Sequence, residues 1–201
     1  DVFNDRGKSQ KNIKGELVCK NPFPSMPLKF WKDKNDIKFK KAYFNRFKNT
    51  WHHGDYAEIK MTGGFVIHGR SDTTLNPGGV RMGTAEIYSE VEKFKEINES
   101  LVVGQAWNND IRIVLFVVMN KKYSFTEKLS LKLKLKIRKN TSPRHVPSKI
   151  IVVTDIPRTK SGKIVELAVK NIIDGNKIKN KEALANPEVL KFFKNLKELE
   201  Y

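Results

Sequence analysis

The sequence is poor in the features that would place a chain outside the ordinary globular class. One cysteine, Cys19, stands among 201 residues, which excludes an internal disulfide framework and fits a reducing compartment. No apolar run approaches the roughly 18–20 residues that a membrane-crossing helix needs, so no membrane partner is expected. Histidine is scarce, with four residues. The adjacent pair His52-His53 has no His, Cys or carboxylate at zinc-like spacing, so no metal ligand is assigned. His68 and His145 stand alone and read as structural. The opening Asp-Val-Phe-Asn-Asp carries neither the basic and apolar leader of a secretory signal nor an initiating Met. The expectation is a piece of a longer protein with a cytoplasmic location.

Acidic residues are the other shortage: 22 Asp+Glu face 39 Lys+Arg, a formal charge of +17. Such an excess suggests nucleic acid, whose binding is dominated by phosphate neutralisation. The distribution argues otherwise. Residues 1–71 hold 15 basic and 7 acidic groups and residues 72–201 hold 24 and 15, so the excess is spread evenly. Lysine outnumbers arginine 31 to 8, whereas base-edge and bidentate phosphate recognition favour arginine. No nucleic-acid partner is expected. A diffuse field that attracts small anions fits the pattern better.

What is present falls into two textures. Residues 15–20 read as a strand, followed by Asn21-Pro22-Phe23-Pro24-Ser25-Met26-Pro27, which cannot be a helix or a central strand. Residues 28–50 read as a surface segment anchored by Phe30, Trp31, Tyr43, Phe44 and Phe47. Residues 51–59 and 64–68 predict two strands joined at Gly63-Gly64. Beyond Asp72, Asn76-Pro77-Gly78-Gly79 signals a turn. A helix is predicted from an N-cap at Thr84 to about Ile97, with Ile87, Val91 and Phe94 at helical spacing. Residues 101–106 and 111–119 predict a hairpin across Asn108-Asn109-Asp110. The leucine–lysine alternation of 129–139 has the period of a strand, but its residue types favour a helix. A buried strand at 149–154, a loop at 157–162 and helices at 163–173 and 187–199 complete the reading. The expected class is α+β (mixed): a β-rich region over 1–71, then an α/β region over 72–201.

Four groups of residues suggest chemistry. In Pro157-Arg158-Thr159-Lys160-Ser161-Gly162-Lys163, glycine lets a turn present a lysine, and a helix start adds positive potential. A lysine so held suits negative charge developing on phosphate or carboxylate. The stretch is not a P-loop, because Pro157 and Ile164 occupy positions that need Gly and Ser/Thr. Gly54-Asp55 can offer a carboxylate to ribose hydroxyls, and Gly69-Arg70-Ser71-Asp72 an arginine to phosphate or ribose; taken in isolation, each is better explained as an ordinary turn with surface charges. In Gly78-Gly79-Val80-Arg81-Met82-Gly83-Thr84, glycine permits close approach to a narrow ligand while Arg81 faces phosphate; a plain turn feeding a helix is the alternative.

In this order and at this spacing, these motifs resemble the C-terminal motif series of the adenylate-forming acyl-CoA synthetases. Within that superfamily, Gly15-Glu16-Leu17-Val18-Cys19, Pro22-Phe23-Pro24-Ser25-Met26-Pro27, Ser142-Pro143-Arg144-His145-Val146-Pro147 and Lys179-Asn180-Lys181-Glu182-Ala183-Leu184-Ala185-Asn186-Pro187 are similar to the acetoacetate–CoA ligases. The superfamily's triphosphate loop and its adenine- and acyl-binding segments have no counterpart here. The resemblance therefore implies the β-rich end of a large nucleotide-binding domain, then a small mobile C-terminal domain, with the missing N-terminal portion as partner. It implies Lys163 as the adenylation lysine, Asp55, Arg70 and Arg81 as ATP-binding residues, and Asp72 as the hinge. It implies Gly79 and Arg138 at the CoA site. The ligands implied are ATP with Mg²⁺, CoA and acetoacetate. Two other readings stay open: a ligase for acetate or propionate, and a non-catalytic C-terminal binding module.

Overall fold

The computed structural model describes residues 1–178 and 181–200. The chain divides into two compact units, Asp1–Asp72 and Thr73–Tyr201. Both combine helices with sheets, as the mixed α+β class expects.

The first unit contains β1 (Val2–Phe3), β2 (Gly15–Cys19), α1 (Ile37–Tyr43), β3 (Trp51–Ile59) and β4 (Phe65–Arg70). The strands form an antiparallel sheet in the order β1-β2-β3-β4. The β3–β4 turn closes with Lys60 N donating to Gly64 O at 2.9 Å, and Gly63 adopts φ +87° there, which glycine tolerates without a Cβ clash. Two register shifts interrupt the ladders, one between Glu16 and Val18 against β3 and one between Tyr56 and Ala57 against β4. Residues 20–50 are held by rings gathered round Trp51. Tyr43 stacks on it with centroids 3.7 Å apart, and Phe23 and Phe44 meet it edge-on. Trp31, expected among the anchors, is 88% exposed and stands outside this cluster.

The second unit runs α2 (Thr84–Val91), β5 (Ile97–Trp107), β6 (Asp110–Met119), α3 (Glu127–Asn140), β7 (Lys149–Val152) and α4 (Glu166–Ile173). β5 and β6 form a hairpin turned by Asn108 and Asn109, both at positive φ, a conformation asparagine adopts more readily than bulkier residues. β7 adds parallel to β6. Strand alternation sends Val102, Ile113, Leu115 and Val117 to one face, packed with Ile87, Val91, Leu133 and Ile137. Leu101, Val103, Val114 and Phe116 go to the other, packed with Val169, Val189, Phe193 and Leu199. A sheet covered on both faces reads as continuous apolar runs, as these strands do.

Helix α3 resolves the leucine–lysine ambiguity. Leu129, Leu133 and Ile137, four residues apart, are buried, whereas the intervening Leu131 and Leu135 are more than half exposed. The Thr126 hydroxyl caps the helix by accepting from Leu129 N at 3.2 Å. Four boundaries differ from expectation. Helix α2 stops at Val91, Thr84 is its first helical residue rather than its cap, and Ile97 opens β5. β7 is a short edge strand whose Val152 is 46% exposed. Helix α4 begins at Glu166, three residues after Lys163. Residues 187–199 form two 3₁₀ segments, Pro187–Phe193 and Lys197–Leu199, separated by Asn195 at φ +50°, instead of one helix. Val189, Leu190, Phe193 and Leu199 are nonetheless buried, so packing alone does not distinguish the two forms.

Candidate functional site

The β3–β4 register, shifted between Tyr56 and Ala57, pairs Asp55 with Arg70 and brings three predicted residues together. Arg70 Nη1 donates to Asp55 Oδ1 at 3.3 Å, and its Nε and Nη2 donate to the two Asp72 oxygens, each at 3.4 Å. Burial alone would lower the Arg70 pKa, but the carboxylates of Asp72 and Asp55 more than offset this and raise it. His53 Nδ1 lies 2.7 Å from the other Asp55 oxygen. Gly54 sits at φ +86°, and a Cβ there would stand 3.1 Å from Arg70 Nη2. Glycine therefore serves both the backbone turn and the close approach of the guanidinium. Residues Tyr43, Trp51, His52, Gly54, Arg70 and Asp72 help to line a cleft of about 530 Å³. The Trp51 indole nitrogen is buried without a hydrogen-bond partner among the described residues.

Beneath this group lies a carboxylate that sequence reasoning missed. Glu16 is fully buried on β2. It accepts from Ser71 Oγ at 2.5 Å, meets His52 Nε2 at 2.8 Å and pairs with Arg46 at 3.2 Å. It therefore ties β2 to β3 and to the end of β4, where Arg70 and Asp72 stand. A glutamate in a short apolar strand was the available signal; its partners, 30 to 55 residues away, gave none.

In the second unit, Lys163 is exposed at the end of a tight turn. Gly162 N donates to Thr159 O at 2.9 Å and Thr159 N to Lys163 O at 2.8 Å, while Lys163 N donates to Thr159 Oγ1 at 3.1 Å. Gly162 has φ +82° with open space where a Cβ would stand, so conformation rather than room requires glycine. An antiparallel bridge between Arg158 and Ile164 makes this a small hairpin. The helix start expected at Lys163 is displaced to Glu166, so presentation of the lysine rests on the turn.

Gly79 lies at the tip of a second loop, at φ +75° and with open space beside it. Its neighbour Gly78 donates N–H to the Asp110 carboxylate at 3.0 Å. The loop is closed by reciprocal bonds between Leu75 and Met82 at 2.9 and 2.8 Å. Arg81 Nη2 donates to Thr74 Oγ1 at 3.4 Å, beside a cavity of about 210 Å³ lined by Thr73, Thr74, Gly104 and Glu166 among others. Arg138 is exposed in the last turn of α3, where cationic side chains suit the helix dipole. His145, expected to be isolated, is buried between Ser142 Oγ at 2.8 Å and Glu86 Oε2 at 3.3 Å. His68 is likewise buried, 3.4 Å from Glu58.

Over 199 residues the chain is 59% identical to the acetoacetyl-coenzyme A synthetase of Rhizobium meliloti (strain 1021), a match that takes in 99% of this chain. The chain is similar to acetoacetyl-CoA synthetases along nearly its whole length. Residues 86–163 match the family of the AMP-binding enzyme C-terminal domain. The Gallus gallus acetoacetyl-CoA synthetase is 46% identical over 203 residues, which take in 100% of this chain. The solved structure of acetoacetyl-CoA synthetase from Streptomyces lividans aligns over 96% of this chain with a TM-score of 0.89 and 38% identity. The homologous region spans 31% and 30% of the two curated relatives and 29% of the solved chain. Of the quoted motifs that carry the similarity, Lys179 and Asn180 lie outside the described residues.

Proposed function

We propose that this chain supplies the adenylation lysine and part of the nucleotide site of an ATP-dependent acetoacetate–CoA ligase. In the first half-reaction, an acetoacetate carboxylate oxygen attacks the α-phosphorus of ATP; the bond to the β-phosphate oxygen breaks and pyrophosphate leaves. In the second, the CoA sulfur attacks the acyl carbonyl of acetoacetyl-adenylate. The acyl–oxygen bond breaks, AMP departs and the thiol proton is released.

The observation that carries this reading is the exposed Lys163 on its glycine-bearing turn, in a chain so similar along its length to acetoacetyl-CoA synthetases. Lys163 has no catalytic base to be; its part is electrostatic, an ammonium set against oxygens that gain negative charge as pyrophosphate leaves. The tight turn supports this by fixing the backbone on either side of the lysine while leaving the side chain free to reach. Asp55 accepts from the ribose hydroxyls and Arg70 contacts ribose or phosphate, exchanging their present mutual ion pair for ligand. Asp72, which closes the first unit, is the hinge between the two half-reactions. In the second half-reaction Gly79, with no side chain and open space at its Cβ position, flanks the pantetheine arm. Arg81 meets phosphate and Arg138 the CoA 3′-phosphate. Mg²⁺ enters this reading with the nucleotide phosphates of ATP. A cytoplasmic location accompanies this reading, as do acetoacetate, ATP and CoA in place of nucleic-acid or membrane partners.

The test is Lys163→Ala in a complete ligase, built by joining this chain to the remaining part of the Rhizobium meliloti relative. Acetoacetate-dependent pyrophosphate exchange should fall by roughly 10²–10³-fold or more, the scale of a lost oxyanion-hole donor. Thioester formation from supplied acetoacetyl-adenylate should be largely retained. Equal loss of both steps refutes the assignment. A substrate panel that includes acetate and propionate decides the acyl group.

A further inference from the structure

The hairpin that presents Lys163 does not stand alone. Residues 183–186, from the segment after α4, run along it: Ala185 N donates to Arg158 O at 2.8 Å, Lys160 N to Ala183 O at 3.3 Å, and Thr159 bridges Leu184. At the end of this contact Asn186 uses its whole carboxamide. Its Oδ1 accepts from Arg158 N at 2.8 Å, while Nδ2 donates to Asp155 Oδ2 at 3.1 Å and to Ile156 O at 3.0 Å. One side chain thus holds three positions around the base of the hairpin. Arg158 then reaches across the turn, donating from Nη1 to Gly162 O at 3.1 Å, with its Nη2 paired to Glu99 on β5.

The segment that carries Asn186 is itself fixed. Leu184 is buried beside Ala168 and Leu190, Phe193 meets Phe116 edge-on at 4.9 Å, and Arg112 Nη2 donates to Leu199 O at 2.6 Å. The hairpin therefore has a rigid neighbour on the side away from its exposed tip. We propose that Asn186 is a positioning residue for Lys163: it holds the hairpin base in one geometry, so that the ammonium is placed before substrate arrives. The proposal rests on the reading of Lys163 as the adenylation lysine. Its physical basis is that an electrostatic contribution depends on orientation, and a misplacement near 1 Å costs up to about 10²-fold.

Two measurements test it. In the complete ligase described above, Asn186→Ala should lower kcat of acetoacetate-dependent pyrophosphate exchange roughly tenfold. The KM for ATP and thioester formation from supplied acetoacetyl-adenylate should stay within about twofold of the parent, since neither uses the placed lysine. A purely structural role would depress both half-reactions together. Asn186→Asp should be at least as harmful, because it sets a second carboxylate against Asp155. Adding Asp155→Asn exchanges donor and acceptor across that one bond and should recover part of the rate lost by Asn186→Asp, though not all, since the Ile156 carbonyl then faces a carboxylate; independent sites would show no such recovery. In the 201-residue chain, Asn186→Ala should speed amide hydrogen exchange at Arg158, Thr159, Gly162 and Lys163, with the β5–β6 amides unchanged. Unaltered pyrophosphate exchange, parallel loss of both steps, or unaltered amide exchange overturns the proposal. If Lys163→Ala spares pyrophosphate exchange, the functional reading fails instead, and the amide exchange still decides whether Asn186 holds the hairpin.

Discussion

In the second unit a three-stranded sheet carries apolar side chains on both faces, with α2 and α3 on one and α4 and the 3₁₀ segments on the other. In the first, a four-stranded sheet takes Glu16, Glu58 and His68 inside, and its apolar cluster centres on Val2, Ala57 and Ile59. Apolar burial is non-directional and tolerates a change at the surface. Buried carboxylates lose hydration and persist only with partners in good geometry. The contrast teaches that stability and site are separable in the second unit, where Lys163 and Gly79 stand on loops outside the core. They are joined in the first, where Glu16 stabilises the fold through the same Ser71 and β3 residues that flank Asp55, Arg70 and Asp72.

The largest expected effect breaks the second unit without touching chemistry. Leu133 is fully buried in the cluster with Ile87, Val91 and Leu115, on the face away from the Phe193 segment, so Leu133→Ala should cost about 2–5 kcal/mol, the range for a leucine removed from a packed core. Denaturant unfolding measures it. Variant protein that remains folded in mild conditions should keep the Lys163 hairpin protected from amide exchange to the parent level. A loss of hairpin protection beyond that set by the drop in global stability would show that core and loop are coupled after all.

A smaller change sharpens the other half of the comparison. Glu16→Gln keeps the shape but removes the charge that faces Arg46, His52 and the Ser71 hydroxyl, and should cost about 1–3 kcal/mol. Unlike Leu133→Ala, it should also weaken nucleotide binding by the complete ligase, because Ser71 lies between Arg70 and Asp72. Isothermal titration with ATP and denaturant unfolding, run on the same variant, separate the two effects. Destabilisation with unchanged ATP affinity would break the claimed link between fold and site.

Legibility from sequence followed the reach of each signal. The Gly63-Gly64 turn and the Asn108-Asn109 hairpin are local, and were readable because positive φ favours Gly and Asn. Helix α3 was readable from residue type although its period misled; the structure buries every fourth apolar residue and leaves the alternate leucines out. The juxtaposition of Asp55, Arg70 and Asp72 was only hinted at, since the pairing of Asp55 with Arg70 follows a register shift between β3 and β4 that no periodicity encodes. Asn186 and Glu16 were invisible as site residues because their partners are distant in sequence and their types are common. The 3₁₀ form of residues 187–199 was missed for a related reason: Pro187, Val189, Leu190 and Phe193 satisfy an amphipathic pattern whether the turns are α or 3₁₀.

The smallest expected effect concerns acid, and it treats the units in parallel. In the first, the Lys60 ammonium at 2.7 Å holds the Glu58 carboxyl below its ordinary range, against the opposing effect of burial and with help from His68. In the second, burial would raise Glu90, but Lys93 and Asn140, each at 2.6 Å, lower it further than burial lifts it. A carboxyl whose pKa is depressed by folding contributes stability that is present above its unfolded value, about 4.3, and lost as pH falls through the lower folded value. Lys60 and Lys93 are about half exposed, so solvent and salt screen both pairs and the contribution is small. Thermal unfolding between about pH 3 and 6 should therefore weaken toward acid, and Glu58→Gln and Glu90→Gln should each remove part of that slope. Trp51, buried in the first unit, and Trp107, on β5 of the second, let fluorescence assign the loss to one unit or the other once each is studied with Trp31 and its counterpart replaced by Phe. Glu58→Gln should flatten the Trp51 signal and leave that of Trp107 alone. A Trp51 slope that survives the substitution would place the acid sensitivity of the first unit in another carboxylate.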